Sequence, residues 1–254
     1  MRKLLLAAAM IAVASSAAYA HDFFLMPEAF TTPRAGGVNI QATVGSSFPK
    51  AENVVTADRV DRLFVQGPGK PQLSITGPGA NALNLRVTGA AAGTVVAGVS
   101  TKARDVEYTE AQIPVILEEY RVSPSAQAAV AALPTPRTLK VSSRRFAKTI
   151  LCVQRCGNRQ AATRAFGAEL EFVATNAAGD HFRLLKSGRP LGSYPIDLVG
   201  SDGKRQHLQT DAKGEIHLPR AAKGRMMLFS AVMTPPAGAE RFTLDLTSLT
   251  INRP

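Results

Sequence analysis

Tryptophan is absent from this 254-residue chain, and aromatic residues of all kinds make up only 6% of it. A stacking platform for sugars or bases needs several exposed rings, so a recognition face of that type is excluded. Cysteine occurs only at Cys152 and Cys156, too few for a disulfide-dense scaffold or a four-thiol zinc module. The sequence has no phosphate-cradling glycine loop, no HExxH pair and no nucleophile elbow. Nothing in it therefore argues for an enzyme, and the expectation is a protein without catalytic activity. Only the first residues form a long apolar run, and no later run reaches the ~18 residues needed to span a bilayer.

That first run reads as a secretory leader. Arg2 and Lys3 give a positive start, Leu4 to Ala14 an apolar stretch, and Ala18-Tyr19-Ala20 a small-x-small cleavage signal. Cutting after Ala20 predicts a soluble periplasmic protein of 234 residues that begins at His21. It retains 28 basic against 19 acidic residues, a net charge of +9. Such a charge favours association with anionic envelope surfaces. The compartment and the scatter of the basic residues both argue against nucleic acid. The exposed N-terminus has a chemistry of its own. A terminal histidine offers an α-amine with pKa near ~8 and an imidazole near ~6.5, so a metal meets few competing protons at neutral pH. Asp22 adds a carboxylate. The plainer alternative is that His21-Asp22 simply opens the first strand.

From His21 to about Val106 the chain alternates short strands with turns. Val38, Ile40, Ala42 and Val44 repeat with period two, and Val60–Val65, Gln72–Thr76, Ala82–Thr88 and Thr94–Ser100 follow between Gly-Pro and Asn-rich breaks. Strands at this spacing without amphipathic helices between them predict an antiparallel sandwich. A helical insert is expected at about 109–132. Ile113, Ile116, Leu117 and Tyr120 share one face there, a second short helix covers Ser125–Ala132, and the insert would cap one edge of the sandwich. Strand character returns at Arg144–Leu151 and again from Gly167. Pro195–Val199, Arg225–Val232 and Phe242–Ile251 complete a second, smaller sandwich. The division is thus an N-terminal module at 21–150, a cysteine-containing connector at 151–167 and a C-terminal module at 168–254.

Two local features carry chemistry. Cys152 and Cys156 form a local disulfide in an oxidising compartment, or a two-thiol site for a soft metal if kept reduced. Gln206–Thr210 and Glu215–Leu218 read as two arms of a hairpin, with Gly214 supplying a positive φ. Leu208, Ile216 and Leu218 then face the core and leave His207, Gln209 and His217 outward. His207 and His217 would sit diagonally at ~7–8 Å, close enough to share a metal or simply to be solvated side by side. His181 falls in a turn with no readable partner.

Ala20-His21-Asp22-Phe23-Phe24-Leu25-Met26-Pro27 resembles the start of the periplasmic family DUF4198, whose members are associated with nickel or cobalt uptake. Val44-Gly45-x-x-Phe48-Pro49, Arg145-Phe146-Ala147-Lys148 and Thr210-Asp211-Ala212-Lys213-Gly214-Glu215 agree with the family in the same order. The resemblance implies a mainly β fold of two Ig-like or transthyretin-like sandwich modules, the second similar to carboxypeptidase-regulatory-like domains. It also implies His21 and Asp22 as metal ligands. Relatives carry a histidine in a late strand where this chain has Ser230-Ala231-Val232-Met233, and Met233 would serve only a soft ion such as Cu(I). The expectation is a divalent-metal protein, nickel or cobalt first, that passes its ion to an uptake transporter. Copper held by an N-terminal histidine brace is the nearest alternative. A metal-free adaptor that binds another envelope protein through a sheet edge is the next.

Overall fold

The computed structural model describes residues 22–253 apart from 34–35, 158–159, 177 and 239. The leader and His21 lie outside the described residues. The chain opens with β1 (Asp22–Pro27), β2 (Thr31–Thr32), β3 (Val38–Gly45), β4 (Asn53–Val54), β5 (Val60–Gln66), β6 (Gly69–Pro78), β7 (Leu83–Ala90), β8 (Gly93–Thr101) and β9 (Arg104–Thr109). The insert follows as α1 (Ile113–Glu119) and α2 (Pro124–Ala131), then β10 (Thr138–Val153) and α3 (Gln160–Thr163). The remainder is β11 (Leu170–Ala174), β12 (His181–Lys186), β13 (Arg189–Pro190), β14 (Pro195–Gly200), β15 (Arg205–Gln209), β16 (Glu215–His217), β17 (Gly224–Thr234) and β18 (Phe242–Arg253). The fold is mainly β, in antiparallel sandwich layers with a short helical insert. None of the described helices is long and apolar enough to cross a membrane.

A nine-stranded sheet organises the molecule. Its order is β15-β14-β17-β18-β10-β8-β5, with β9 and β2 also pairing to β10. β10 is long enough to serve several partners in turn. Its first half pairs with β9 and its last residues with β8, both antiparallel, while Val141–Thr149 pair with β18 in parallel. Because successive side chains of a strand face opposite ways, β10 feeds a different core on each side. Leu139, Val141, Ala147 and Leu151 point to one face, Phe146 and Ile150 to the other.

On the first face lie two cores side by side. One is a sandwich with the five-stranded sheet β1-β3-β7-β6 and β4, where Phe23, Leu25, Ile40, Leu83 and Leu85 meet Val95, Ala97 and Leu151. The other lies under α1 and α2, where Ile113, Ile116, Val122 and Val130 cover Phe229, Ala231 and Leu244. β1 is the wedge between them. Phe23 and Leu25 enter the sandwich core, Phe24 and Met26 the helical one. The hydroxyls of Ser248 and Thr250 on β18 donate to the carbonyls of Phe23 and Leu25, 2.6 and 2.5 Å away. Every residue of β1 is consequently buried.

The opposite face packs on the four-stranded sheet of β11, β12, β13 and β16. Phe172, Phe182, Leu184 and Ile216 from that sheet meet Ile196, Leu228 and Ile251. A buried ion pair crosses this interface. Lys148 Nζ donates to Glu171 Oε2 at 2.8 Å and to the Phe172 carbonyl at 2.7 Å, and stands 4.7 Å above the Phe166 ring. Glu171 also accepts from the backbone N–H groups of Phe166, Gly167 and Ala168. Burial pushes the Lys148 ammonium below its ordinary pKa, against the pull of Glu171. Gly98 on β8 keeps the space open, since a Cβ there would meet the Phe166 ring at 3.0 Å and Lys148 Cγ at 3.3 Å.

Four features differ from the sequence-based expectation. The boundary at 150/151 falls inside β10, because one strand completes the large sheet for both halves. The helical insert covers a face of that sheet rather than an edge, since its apolar stripe needs a broad apolar partner. The segments 206–210 and 215–218 do not pair with each other. The turn closes, with Asp211 N–H donating to the Glu215 carbonyl and Gly214 N–H to the Asp211 carbonyl. Beyond the turn, β15 joins β14 in the large sheet while β16 joins β12 in the small one. Leu208, Ile216 and Leu218 still share one core because they enter it from opposite layers. Finally, His181 begins strand β12 instead of occupying a turn.

Candidate functional site at the start of β1

The start of β1 meets β14 and β15 in a cluster of charged side chains. Asp22 is buried, its side chain only 4% exposed, and pairs with Arg205 Nη2. Arg205 Nη1 reaches Asp197 Oδ2 at 3.0 Å, and its guanidinium lies 5.5 Å over the Phe229 ring. Asp197 is equally buried. Its Oδ1 accepts from Arg121 Nη1 at 3.2 Å and lies 2.8 Å from His207 Nδ1. Arg121 follows α1 with φ +48°, a left-handed conformation that costs a non-glycine residue on the order of 1 kcal/mol. From there its guanidinium also donates to the Ile196 and Leu208 carbonyls.

Strand geometry explains the grouping. Asp197 pairs with His207 and Val199 with Arg205, so Arg205 and His207 stand two residues apart on the face that carries Asp197. Two carboxylates and two guanidiniums meet here, the Glu119 carboxylate acts on Asp22 from nearby, and the apolar ground of Phe229 makes each depend on the others. Burial drives the Asp22 carboxyl up to about 6, with Arg205 opposing the rise.

His207 differs from its neighbours. Its side chain is 62% exposed, and Nδ1 is its anchored nitrogen. A neutral imidazole that donates from Nδ1 to a carboxylate presents the lone pair at Nε2, the tautomer a metal ion selects. The carboxylates themselves are committed: Asp22 to Arg205, and Asp197 to Arg205, Arg121 and His207. Among the described residues no group of three His, Cys, Asp or Glu side chains is gathered to hold a metal ion. His21 precedes Asp22 directly and lies outside those residues.

The other expected ligands are dispersed. His217 sits on the small sheet, opposite His181 in the β12–β16 ladder, and the two rings stack at 3.7 Å. It is therefore separated from His207 by the sheet each belongs to. Met233 is buried under the helices and offers no exposed sulfur. Cys152 and Cys156 are joined as a disulfide at the end of β10. Sequence reasoning missed Asp197, Arg205 and Arg121. A lone carboxylate within Pro195-Ile196-Asp197-Leu198-Val199 was a legible sign, because an apolar strand buries a charge only against a partner. Arg121 left no such sign, since its reach depends on the turn after α1.

No curated protein matches the chain. Among solved structures, the D0-D1 domain of Intimin is similar over 89% of this chain and 96% of its own, at 12% identity and a TM-score of 0.24, values at which the likeness carries no argument. The model of the family DUF4198, described as a domain of unknown function, matches residues 18–234. With most of its length covered by that match, the chain belongs to the DUF4198 family.

Proposed function

We propose that this is an exported periplasmic protein that binds a divalent transition metal, nickel or cobalt first, and presents it to an uptake transporter without catalysing a reaction. His21 would supply α-amine and imidazole, and His207 Nε2 a third nitrogen. Asp22 is reassigned from ligand to anchor, because its carboxylate is held by Arg205. The observation that carries the reading is the placement of His207. Its ring is fixed through Nδ1 by Asp197, within the ion-pair cluster that also fixes Asp22, the residue next to His21. Nitrogen donors suit nickel, cobalt, copper and zinc, and affinity order alone favours copper, so the metal ranking has to be measured.

The test is a competitive titration of Ni²⁺, Co²⁺, Cu²⁺ and Zn²⁺ on three purified proteins. One begins at His21, one carries an extra alanine before it, and one is His207→Ala. The reading expects both changes to weaken binding at least tenfold, about 1.4 kcal/mol. A ranking that keeps copper far ahead under competition would replace nickel and cobalt with copper. Equal affinity in all three proteins would remove the metal site from this corner and leave the adaptor reading in front.

A further inference from the structure

The two cores on the first face of the large sheet do not meet everywhere. Between the edge of the five-stranded sheet and helix α1 they leave a cleft of about 700 Å³. That volume lies within the range of small-molecule sites. Its floor is formed by side chains of β9 and β10. Arg104 pairs with Ser143, so Arg104, Tyr108, Ser143 and Arg145 stand on the same face. Tyr120 of the helical insert forms one wall, and Arg59 overhangs the other.

Three guanidiniums from three separate elements thus line one concavity. Arg59 donates to the carbonyls of Lys102 and Ala103, and the carboxylate that feels its charge is its exposed neighbour Asp58. Arg104 has no carboxylate partner among the described residues. The acidic neighbours on β9, Asp105 and Glu107, point the other way and pair with Arg241. Tyr120 feels the carboxylates of Glu119 and Asp22 and Tyr108 that of Glu119, while Arg145 acts on both rings and Arg104 on Tyr108. Burial holds both phenols above their ordinary pKa, so they remain hydrogen-bond donors. Valine and isoleucine side chains line most of the remaining wall, with Asn53, Thr56 and Thr101 among them, a surface that suits a carbon skeleton with polar groups better than a bare inorganic ion.

We propose that this cleft binds a small organic anion with two or more carboxylate groups, held by Arg59 and Arg104 over the floor that carries Arg145, its carbon skeleton against the apolar wall. Guanidinium forks match carboxylates two N–H groups at a time, which is why arginine rather than lysine builds such sites. The proposal does not depend on the metal reading, since none of these residues belongs to the Asp22 cluster.

The test is isothermal titration at low salt with citrate as the probe, on full-length mature protein stripped of metal on a chelating resin. Inorganic phosphate serves as the competing anion at equal ionic strength. Citrate is expected to saturate one site, with phosphate at least tenfold weaker. Arg104→Gln and Arg59→Gln should each weaken citrate about tenfold or more, whereas Arg189→Gln, on the small sheet, should leave it unchanged. Circular dichroism and melting midpoints identify any variant that fails to fold, and either cleft variant suffices alone. Absence of saturable citrate binding, unchanged affinity in a folded cleft variant, or phosphate binding as tightly as citrate would each overturn the proposal.

Discussion

Replacing Lys148 by Met tests how the large and small sheets are held together. The ammonium is 5% exposed and its partner Glu171 fully buried. The substitution keeps most of the side-chain volume beside Gly98 and Phe166 but removes the charge. Glu171 is then left without its cation in an apolar layer, and breaking a buried pair from one side costs about 3–5 kcal/mol. The three backbone N–H groups that still serve the carboxylate, at 2.9, 2.9 and 3.2 Å, place the expected loss near the lower end, about 3 kcal/mol. Against a typical folding stability of about 5–15 kcal/mol this is a large fraction. Urea unfolding followed by circular dichroism measures it, with an unchanged m-value confirming that only stability moved. Lys148→Met with Glu171→Gln should cost less than the two single losses added, by about 1–2 kcal/mol, because the stranded charge is gone. A single-variant loss under about 1 kcal/mol, or strict additivity, would refute the reasoning from burial.

Asp22→Asn in the metal-free protein should flatten part of the pH dependence of stability. The folded carboxyl titrates near 6, above its ordinary value of 3.8, so wild type gains stability relative to the variant as pH falls from about 7 to about 4. The gain is at most about 3 kcal/mol, and pH-resolved urea midpoints read it. Gly214→Ala forces a side chain onto a residue with φ +76° and within 2.9 Å of the Leu191 nitrogen. A loss of about 1–3 kcal/mol in chemical unfolding is expected. Intact mass should rise by about two daltons on reduction as the Cys152–Cys156 bridge opens. Because the bridge spans only four positions, its removal by Cys152→Ser with Cys156→Ser should cost no more than about 2 kcal/mol in the same unfolding assay.

Much of the fold was legible because it follows from local alternation. Val38–Val44 and Phe242–Ile251 announce strands through period-two apolar patterns, and Ile113, Ile116 and Tyr120 mark the buried side of α1. The sheet partners were not legible. The parallel ladder between β10 and β18 joins positions about a hundred residues apart, and nothing in either segment names the other. The same limit separated the arms of the supposed hairpin. Gly214 marks the turn correctly, but the turn itself does not decide that its arms enter different layers. At the candidate site, Asp22 and His207 stood out by residue type. Arg205 did not, because an arginine on a polar edge strand looks solvated until the strand beside it is known to bury Asp197.

The hold of β18 on β1 has a consequence for the growing chain. Phe23 and Ser248 are 225 residues apart, and so are Leu25 and Thr250. The earliest apolar segment after residue 21 is synthesised before the residues that shelter it. Until Ser248 and Thr250 are made, Phe23–Met26 carries side chains for two cores, and the β18 hydroxyls that bind its carbonyls are missing. The seat of β1 is therefore completed late, and a chain cut short before Phe242 lacks the hydroxyls that hold the Phe23 and Leu25 carbonyls.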